Sequence, residues 1–310
     1  MPDQSVVYLD ILGFKSYTLM DPSGAAQLLL DYHDSINTKL ATMRDFPAQN
    51  HTDPRLQNLA LAGEVGSFET FLPFSDSVFI LSDQPDLLVR QVSRFLIDSF
   101  QMTSDAFANP ENPTDPTAVT LIEPIRHGSS GQSPARWFPL LFRGGISFGN
   151  VLTPQITAIV QGRGTITTNL AGRAVVNAVS LEKTGKGPRL FCRADFRNQL
   201  SIPSRDLLAE FAGGQCYELL WPALIYTESS PPQVEINSFT DLFLPAANLW
   251  LAFRQQPEVE PHYLEFLKLI VRSTQTWFSM RNCLESTNRH IEEKIMSFGL
   301  QELKEALLPS

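Results

Sequence analysis

Cysteine is scarce in this 310-residue chain: three residues, Cys192, Cys216 and Cys283, far apart and in no CxxC pair. An odd, dispersed set excludes a disulfide framework and a thiolate zinc site. The five histidines are equally scattered. Basic charge is short as well: Lys plus Arg number 24 against 33 Asp plus Glu, a formal net charge of −9. Gripping a nucleic-acid backbone needs a basic surface, so no nucleic-acid partner is expected. A small anionic substrate stays within reach, because a few basic groups or metal ions neutralise it locally. No run approaches the roughly 18 apolar residues of a membrane span. The opening MPDQSVVYLDILGF lacks a basic n-region, and an aspartate interrupts its short apolar run, unlike a signal peptide. The expectation is a reduced, cytoplasmic protein. What is present, 43% hydrophobic and 18% charged residues, is the composition of a folded domain with ample core.

Val6 to Leu12 reads as a strand buried on both faces, broken by Gly13. Asp21-Pro22-Ser23-Gly24 opens a helix with Leu28, Leu29, Tyr32, Ile36 and Leu40 at helical spacing. A polar loop covers 46–58. Strands at Ser67–Leu72 and Asp76–Leu81, separated by Pro73-Phe74-Ser75, predict a hairpin. Ser82 to Pro85 then caps a helix carrying Leu88, Val92, Phe95, Leu96 and Phe100. Residues 108–136 are rich in Pro, Asn, Gly and Ser and predict a surface insertion. Further strands are expected within Trp137–Asn150, which carries a Gly pair, at Gln155–Gln161 and at Arg189–Arg193, with a helix over Gly172–Lys183. That order fits an α+β, ferredoxin-like split βαβ sheet with helices packed on one face. From about Asp241 the chain is helical, Tyr263–Phe298 being the longest amphipathic stretch. Two regions follow: 1–235 around the sheet, and a helical C-terminal extension over 236–310.

Two carboxylates stand out. Asp10 lies inside an apolar strand, VVYLDILGF, and Asp76 at the start of another, FSDSVFI. A carboxylate in a buried strand is costly unless it is paired or bound to metal. Either one alone reads equally well as a hydrogen-bonded structural aspartate. Together they shift the reading, because the first strand and the hairpin adjoin in a split βαβ sheet. Two facing carboxylates suit Mg²⁺ or Mn²⁺, which keep further positions for water and phosphate oxygens.

LDILGF with FSDSVFI, followed by FRGGISFG and GRAVVNAVSLEK, resembles the catalytic domain of class III nucleotide cyclases in order and approximate spacing. The resemblance spans most of residues 5 to 193. It implies that Asp10 and Asp76, with the backbone carbonyl of Ile11, hold two divalent ions per active site at a homodimer interface. It implies that the turn Leu12-Gly13-Phe14 receives the triphosphate, and that Arg143 of RGGISFG contacts phosphate. The family's purine-using members place a base-reading lysine where this chain has Leu72, beside Phe71, and a base-reading aspartate where it has Asn169. Their transition-state Asn and Arg fall on Val176 and Ser180, with Asn177, Arg173 and Lys183 nearby as substitutes.

Intact metal ligands, altered base readers and a helical extension are most similar to the stand-alone pyrimidine cyclases of bacterial anti-phage Pycsar systems. That likeness implies cyclisation of UTP or CTP and a separate effector activated by the product. An adenylate or guanylate cyclase with unusual base contacts is one alternative. A cyclase-fold module that binds nucleotide or protein without turnover is another. A diguanylate cyclase shares the core, but no GGDEF-like hairpin is present. The aromatic positions from Tyr263 to Phe278 read as core or dimer contacts, and GKG at 185–187 as a turn rather than a P-loop.

Overall fold

A computed structural model describes residues 3–30, 32–33, 65–108, 139–160, 163–226 and 235–308. The expected features at 36–58 and 109–136 lie outside the described residues.

The first strand, β1 (Asp3–Ile11), is buried on both faces through its middle, as the apolar run Val6–Leu9 requires. Gly13 adopts φ 82, a left-handed conformation that glycine takes without penalty, and a helix starts at once, Phe14–Met20. This turn of helix precedes the one expected from Asp21. Asp21 does act as a cap: its Oδ1 accepts the amide of Gly24, and 22–30 is helical. The hairpin is β2 (Thr70–Phe74) and β3 (Ser77–Ser82). Pro73 and Phe74 belong to the strand, so the turn is only Ser75-Asp76, with Ser75 at φ 59. Ser82 accepts the amide of Gln84 and the helix Pro85–Ala108 follows. After it come β4 (Phe142–Asn150), β5 (Gln155–Val160), β6 (Arg163–Thr168), the helix Arg173–Leu181, β7 (Leu190–Cys192), β8 (Leu208–Phe211) and β9 (Cys216–Leu219).

The main sheet has seven strands in the order β2-β3-β1-β4-β7-β9-β8. Its first four are antiparallel throughout. They form two interleaved split units: β1 to β2 with β3 between, and β3 to β4 with β1 between. This is the ferredoxin-like core. The only parallel pairing among the described residues is β4 with β7. The short β8–β9 edge hairpin, turned by Ala212-Gly213-Gly214 in left-handed conformations, escaped sequence reading because each strand is four residues long. Among the described residues β5 and β6 pair only with each other, as a separate two-stranded arm.

Helices cover both faces, not one. Val7, Leu9 and Ile11 share a core with the 85–108 helix, whereas Val6 packs with Ala174 and Ala178 of the 173–181 helix on the other side. A strand apolar on both faces needs both covered. Gly145 makes the second contact close: a Cβ there would lie 2.3 Å from the Ala178 carbonyl oxygen, whereas one on Gly144 would lie 1.8 Å from the Tyr8 carbonyl oxygen of the neighbouring strand.

The C-terminal region is Phe239–Phe253, Glu260–Ser279 and Leu284–Ser297. The expected continuous stretch to Phe298 is two helices, reversed around Asn282 at φ 58. These helices share the core that covers the sheet; Phe266 meets Phe100 edge to face at 5.0 Å. The link is also polar. Arg189 beside β7 is buried, ion-paired with Glu218 of β9 and, at 3.0 Å, with Glu265 of the 260–279 helix. Arg272 of that helix meets the other Glu218 oxygen at 2.7 Å.

Candidate active site

Strand alternation decides what faces what. Val6, Tyr8 and Asp10 point to the face carrying the 173–181 helix, and register sets Asp10 opposite Ser77 on β3 and Arg143 on β4. Ser77 Oγ donates to Asp10 Oδ1 at 3.2 Å, and lies 3.0 Å from the Tyr8 hydroxyl. With the serine proton spent on Asp10, the tyrosine is the donor in that second bond. Arg143 donates through Nε and Nη2 to Asp10 Oδ2, both at 3.2 Å, and its Nη2 also meets Glu182 Oε1 at 2.6 Å.

Asp76 is in the hairpin turn rather than on the strand, half-buried, and its backbone carbonyl accepts the Ile11 amide at 2.9 Å. That bond ties the turn to the end of β1 and brings the two aspartates into one electrostatic cluster. Burial raises the Asp10 carboxyl above the ordinary carboxylate range; Arg143 opposes that rise, and Asp76 and then Glu182 add to it. The Tyr8 hydroxyl is likewise pushed up by burial first, with Asp10, Glu182 and Asp76 contributing.

Oxygen donors of this kind suit a hard divalent cation. Among the described residues no cluster of three or more His, Cys, Asp or Glu side chains is placed to hold a metal. A divalent ion here would have the Asp10–Asp76 pair as its side-chain donors, with backbone carbonyl, water or phosphate completing the shell. The raised Asp10 carboxyl beside a second carboxylate is a negative centre only partly neutralised by Arg143, and these residues fit a divalent ion. Arg143, expected as a phosphate contact, is engaged here with two carboxylates.

The other expected positions divide. In the turn after β1, Leu12 gives its amide to the Leu141 carbonyl and Phe14 buries its ring in the core, so a triphosphate there would be received by other amides. Leu72, paired with Phe79 and through it with Tyr8, is on the Asp10 face; Phe71, its neighbour, packs into the core on the opposite face. The two cannot together wall a base pocket, because adjacent strand residues point apart.

Asn169 sits at the base of the β5–β6 arm, its amide on the Pro154 carbonyl. Arg173, Val176 and Ser180 are all exposed on the outer side of their helix, Val176 to 67%. Among the described residues no hydrogen bond or ion pair joins Asn169 or Arg173 to the Asp10 cluster.

Sequence reading missed Ser77, Tyr8 and Glu182 as members of the site. Tyr8 was accessible from alternation, two residues before Asp10; Ser77 was not, because reading Asp76 as a strand residue sends its neighbour to the opposite face, and only the placement of Asp76 in the turn sets Ser77 opposite Asp10. Glu182 had no such signal; it arrives from the end of a helix packed across the sheet.

Fold and site together define an α+β protein with a carboxylate pair and an arginine at one end of a ferredoxin-like sheet. No family model matches the sequence, and no curated protein matches it. Among solved structures, adenylate cyclases of Trypanosoma brucei in their monomeric state are similar at 16% identity and a TM-score of 0.38, over 71% of this chain and 90% of that one. A second such structure gives 17% identity, 0.37, 70% and 87%. At those values the likeness adds nothing to the fold, which stands on the strand order. No helix among the described residues is long and apolar enough to cross a membrane.

Proposed function

We propose that this chain is a nucleotide cyclase converting UTP or CTP to the 3′,5′-cyclic monophosphate and pyrophosphate. The observation that carries it is the convergence of Asp10 and Asp76 with Arg143 directly across the strand. The ribose 3′-oxygen would bond to the α-phosphorus, the bond to the bridging oxygen of the β-phosphate would break, and the 3′ proton would pass to solvent. Asp10, Asp76 and the Ile11 carbonyl would hold two Mg²⁺ or Mn²⁺ ions. Those ions, when bound, acidify the 3′-hydroxyl and neutralise the triphosphate. Arg143 stabilises charge on the phosphates. In the anti-phage setting that the sequence resemblance implies, the product would act on a separate effector.

The base preference rests on Leu72, half-buried on the Asp10 face with no hydrogen-bonding group. A site that reads a base by hydrogen bonds rejects the wrong one strongly, and an aliphatic wall shortens the space for a second ring. With purified protein, Mn²⁺ and each of the four nucleoside triphosphates, mass spectrometry should show the cyclic pyrimidine product dominating, UTP ahead of CTP. Leu72→Ala should admit more purine. Equal conversion of ATP or GTP by the unmodified chain returns the reading to a purine cyclase.

Among the described residues the outward face of the 173–181 helix makes no contact with the Asp10 cluster, which favours a homodimer whose helix approaches the partner's triphosphate. Chains carrying Asp76→Asn, mixed with chains carrying Arg173→Ala and Lys183→Ala, should regain turnover that neither has alone. Full activity in a monomer at nanomolar concentration would contradict the shared site.

A second reading, nucleotide binding without turnover, is favoured by Val176 and Ser180 on that outward face. Product in the four-nucleotide assay excludes it.

A further inference from the structure

Arg143 is shared between two carboxylates, and the sharing is unequal. Its contacts with Asp10 are 3.2 Å, whereas the same Nη2 meets Glu182 at 2.6 Å. Asp10 Oδ2, the oxygen Arg143 uses, belongs to the residue read as a metal ligand. A divalent cation approaching Asp10 therefore competes with a guanidinium already there, and like charges within a few ångströms repel. Glu182 offers that guanidinium a second seat. It comes from a different element, the 3-10 turn Glu182–Thr184 that ends the 173–181 helix, so it is not displaced by anything bound to β1. Gly145, two residues after Arg143, sets the spacing: it lets the Ala178–Leu181 end of the helix lie against β4, which carries Glu182 to within reach.

We propose that Glu182 is a positioning residue: it is the pivot that retains Arg143 at the site when a divalent cation takes Asp10. Arg143 then turns from neutralising Asp10 to facing the phosphates, without leaving the sheet. This rests on the cyclase reading only in taking Asp10 as a metal ligand. Glu182 is not itself a ligand, in keeping with the absence of a three-carboxylate cluster among the described residues.

The test is Mn²⁺ binding without nucleotide, read by electron paramagnetic resonance on wild type, Arg143→Gln, Glu182→Gln and the double variant, each checked for folding by circular dichroism. Arg143→Gln removes the competing cation and should tighten Mn²⁺ by about three- to tenfold. Glu182→Gln leaves Arg143 only Asp10 and should weaken Mn²⁺ by a similar factor. The decisive comparison is the cycle. If Glu182 acts through Arg143, adding Glu182→Gln to Arg143→Gln changes affinity by less than about twofold. A full effect in the double variant would make Glu182 a ligand or a plain charge, and an Arg143→Gln that does not tighten Mn²⁺ removes the competition; either overturns the proposal. Glu182→Asp, shorter by one methylene with its charge kept, should weaken Mn²⁺ as Glu182→Gln does, and serves where that variant unfolds. Absence of Mn²⁺ binding in wild type overturns the metal site and this inference together. The predicted coupling in a protein that turns over no nucleotide leaves the inference standing and removes the cyclase.

Discussion

Asp10→Asn should leave a folded protein with at most about a thousandth of the wild-type turnover, since losing one electrostatic anchor of a transition state costs roughly 10²–10³ in rate and a metal anchor more. The same variant should be more stable when divalent ions are removed with EDTA. Burial, with Asp76 and Glu182 adding to it, raises the folded-state Asp10 carboxyl above its unfolded value despite Arg143. A carboxyl shifted upward binds its proton more tightly when folded. Its ionisation therefore lowers stability as pH rises from the unfolded pKa through the folded one. The midpoint of thermal unfolding for Asp10→Asn should draw ahead of wild type as pH rises above about 4, the ordinary carboxylate value. Asp76→Asn should lose turnover comparably. A variant that is both inactive and less stable would mark Asp10 as a structural aspartate; wild-type rates with metal supplied would reject the metal assignment.

The second large effect is on stability and lies away from the chemistry. Arg189→Met should cost up to about 3 kcal/mol, read as a lower denaturant midpoint, because the buried Glu218 charge loses one of its two cationic partners and keeps only Arg272. Glu218 is 1% exposed and Arg189 5%, so neither can recruit water. The guanidinium also stacks between Phe191 and Phe211, 4.9 and 4.7 Å from their centroids. Arg189→Met with Glu218→Met should recover most of the loss, because the remaining ions are better placed: Glu265 keeps Lys268, and Arg272 is 38% exposed. A single variant within 1 kcal/mol of wild type would show the network to be slack. The network is where the helical region grips the sheet. His262 of the same helix accepts the Gly187 amide, just beyond the turn that carries Glu182.

The Asp10 cluster was legible in part because Asp10 breaks a local rule. An aspartate within VVYLDILGF has no reason to be there unless something meets it, and the FSDS turn with its flanking strands announces a hairpin. The split βαβ order followed from the succession of elements. The helix before Asp21 was not legible, because its seven residues begin directly at a strand end and carry no side-chain cap. Of the β5–β6 arm only β5 was legible, as the strand expected at Gln155–Gln161; β6 was not, since RGTITT lacks the apolar alternation of a half-buried strand.

By itself the sequence marked β1, the β2–β3 hairpin, β4, β5 and β7 and singled out Asp10 and Asp76, because periodicity, turn residues and a misplaced charge act over a few residues. Only the tertiary structure decided partners and faces. Phe71 and Leu72 are chemically alike and adjacent, and which one looks toward Asp10 depends on the register of β2 against β3. Glu182 meets Arg143, and Arg189 meets Glu265, across 39 and 76 residues of sequence. Such contacts exist because two apolar faces of one sheet each had to be covered, and the helices that cover them bring their charged ends along.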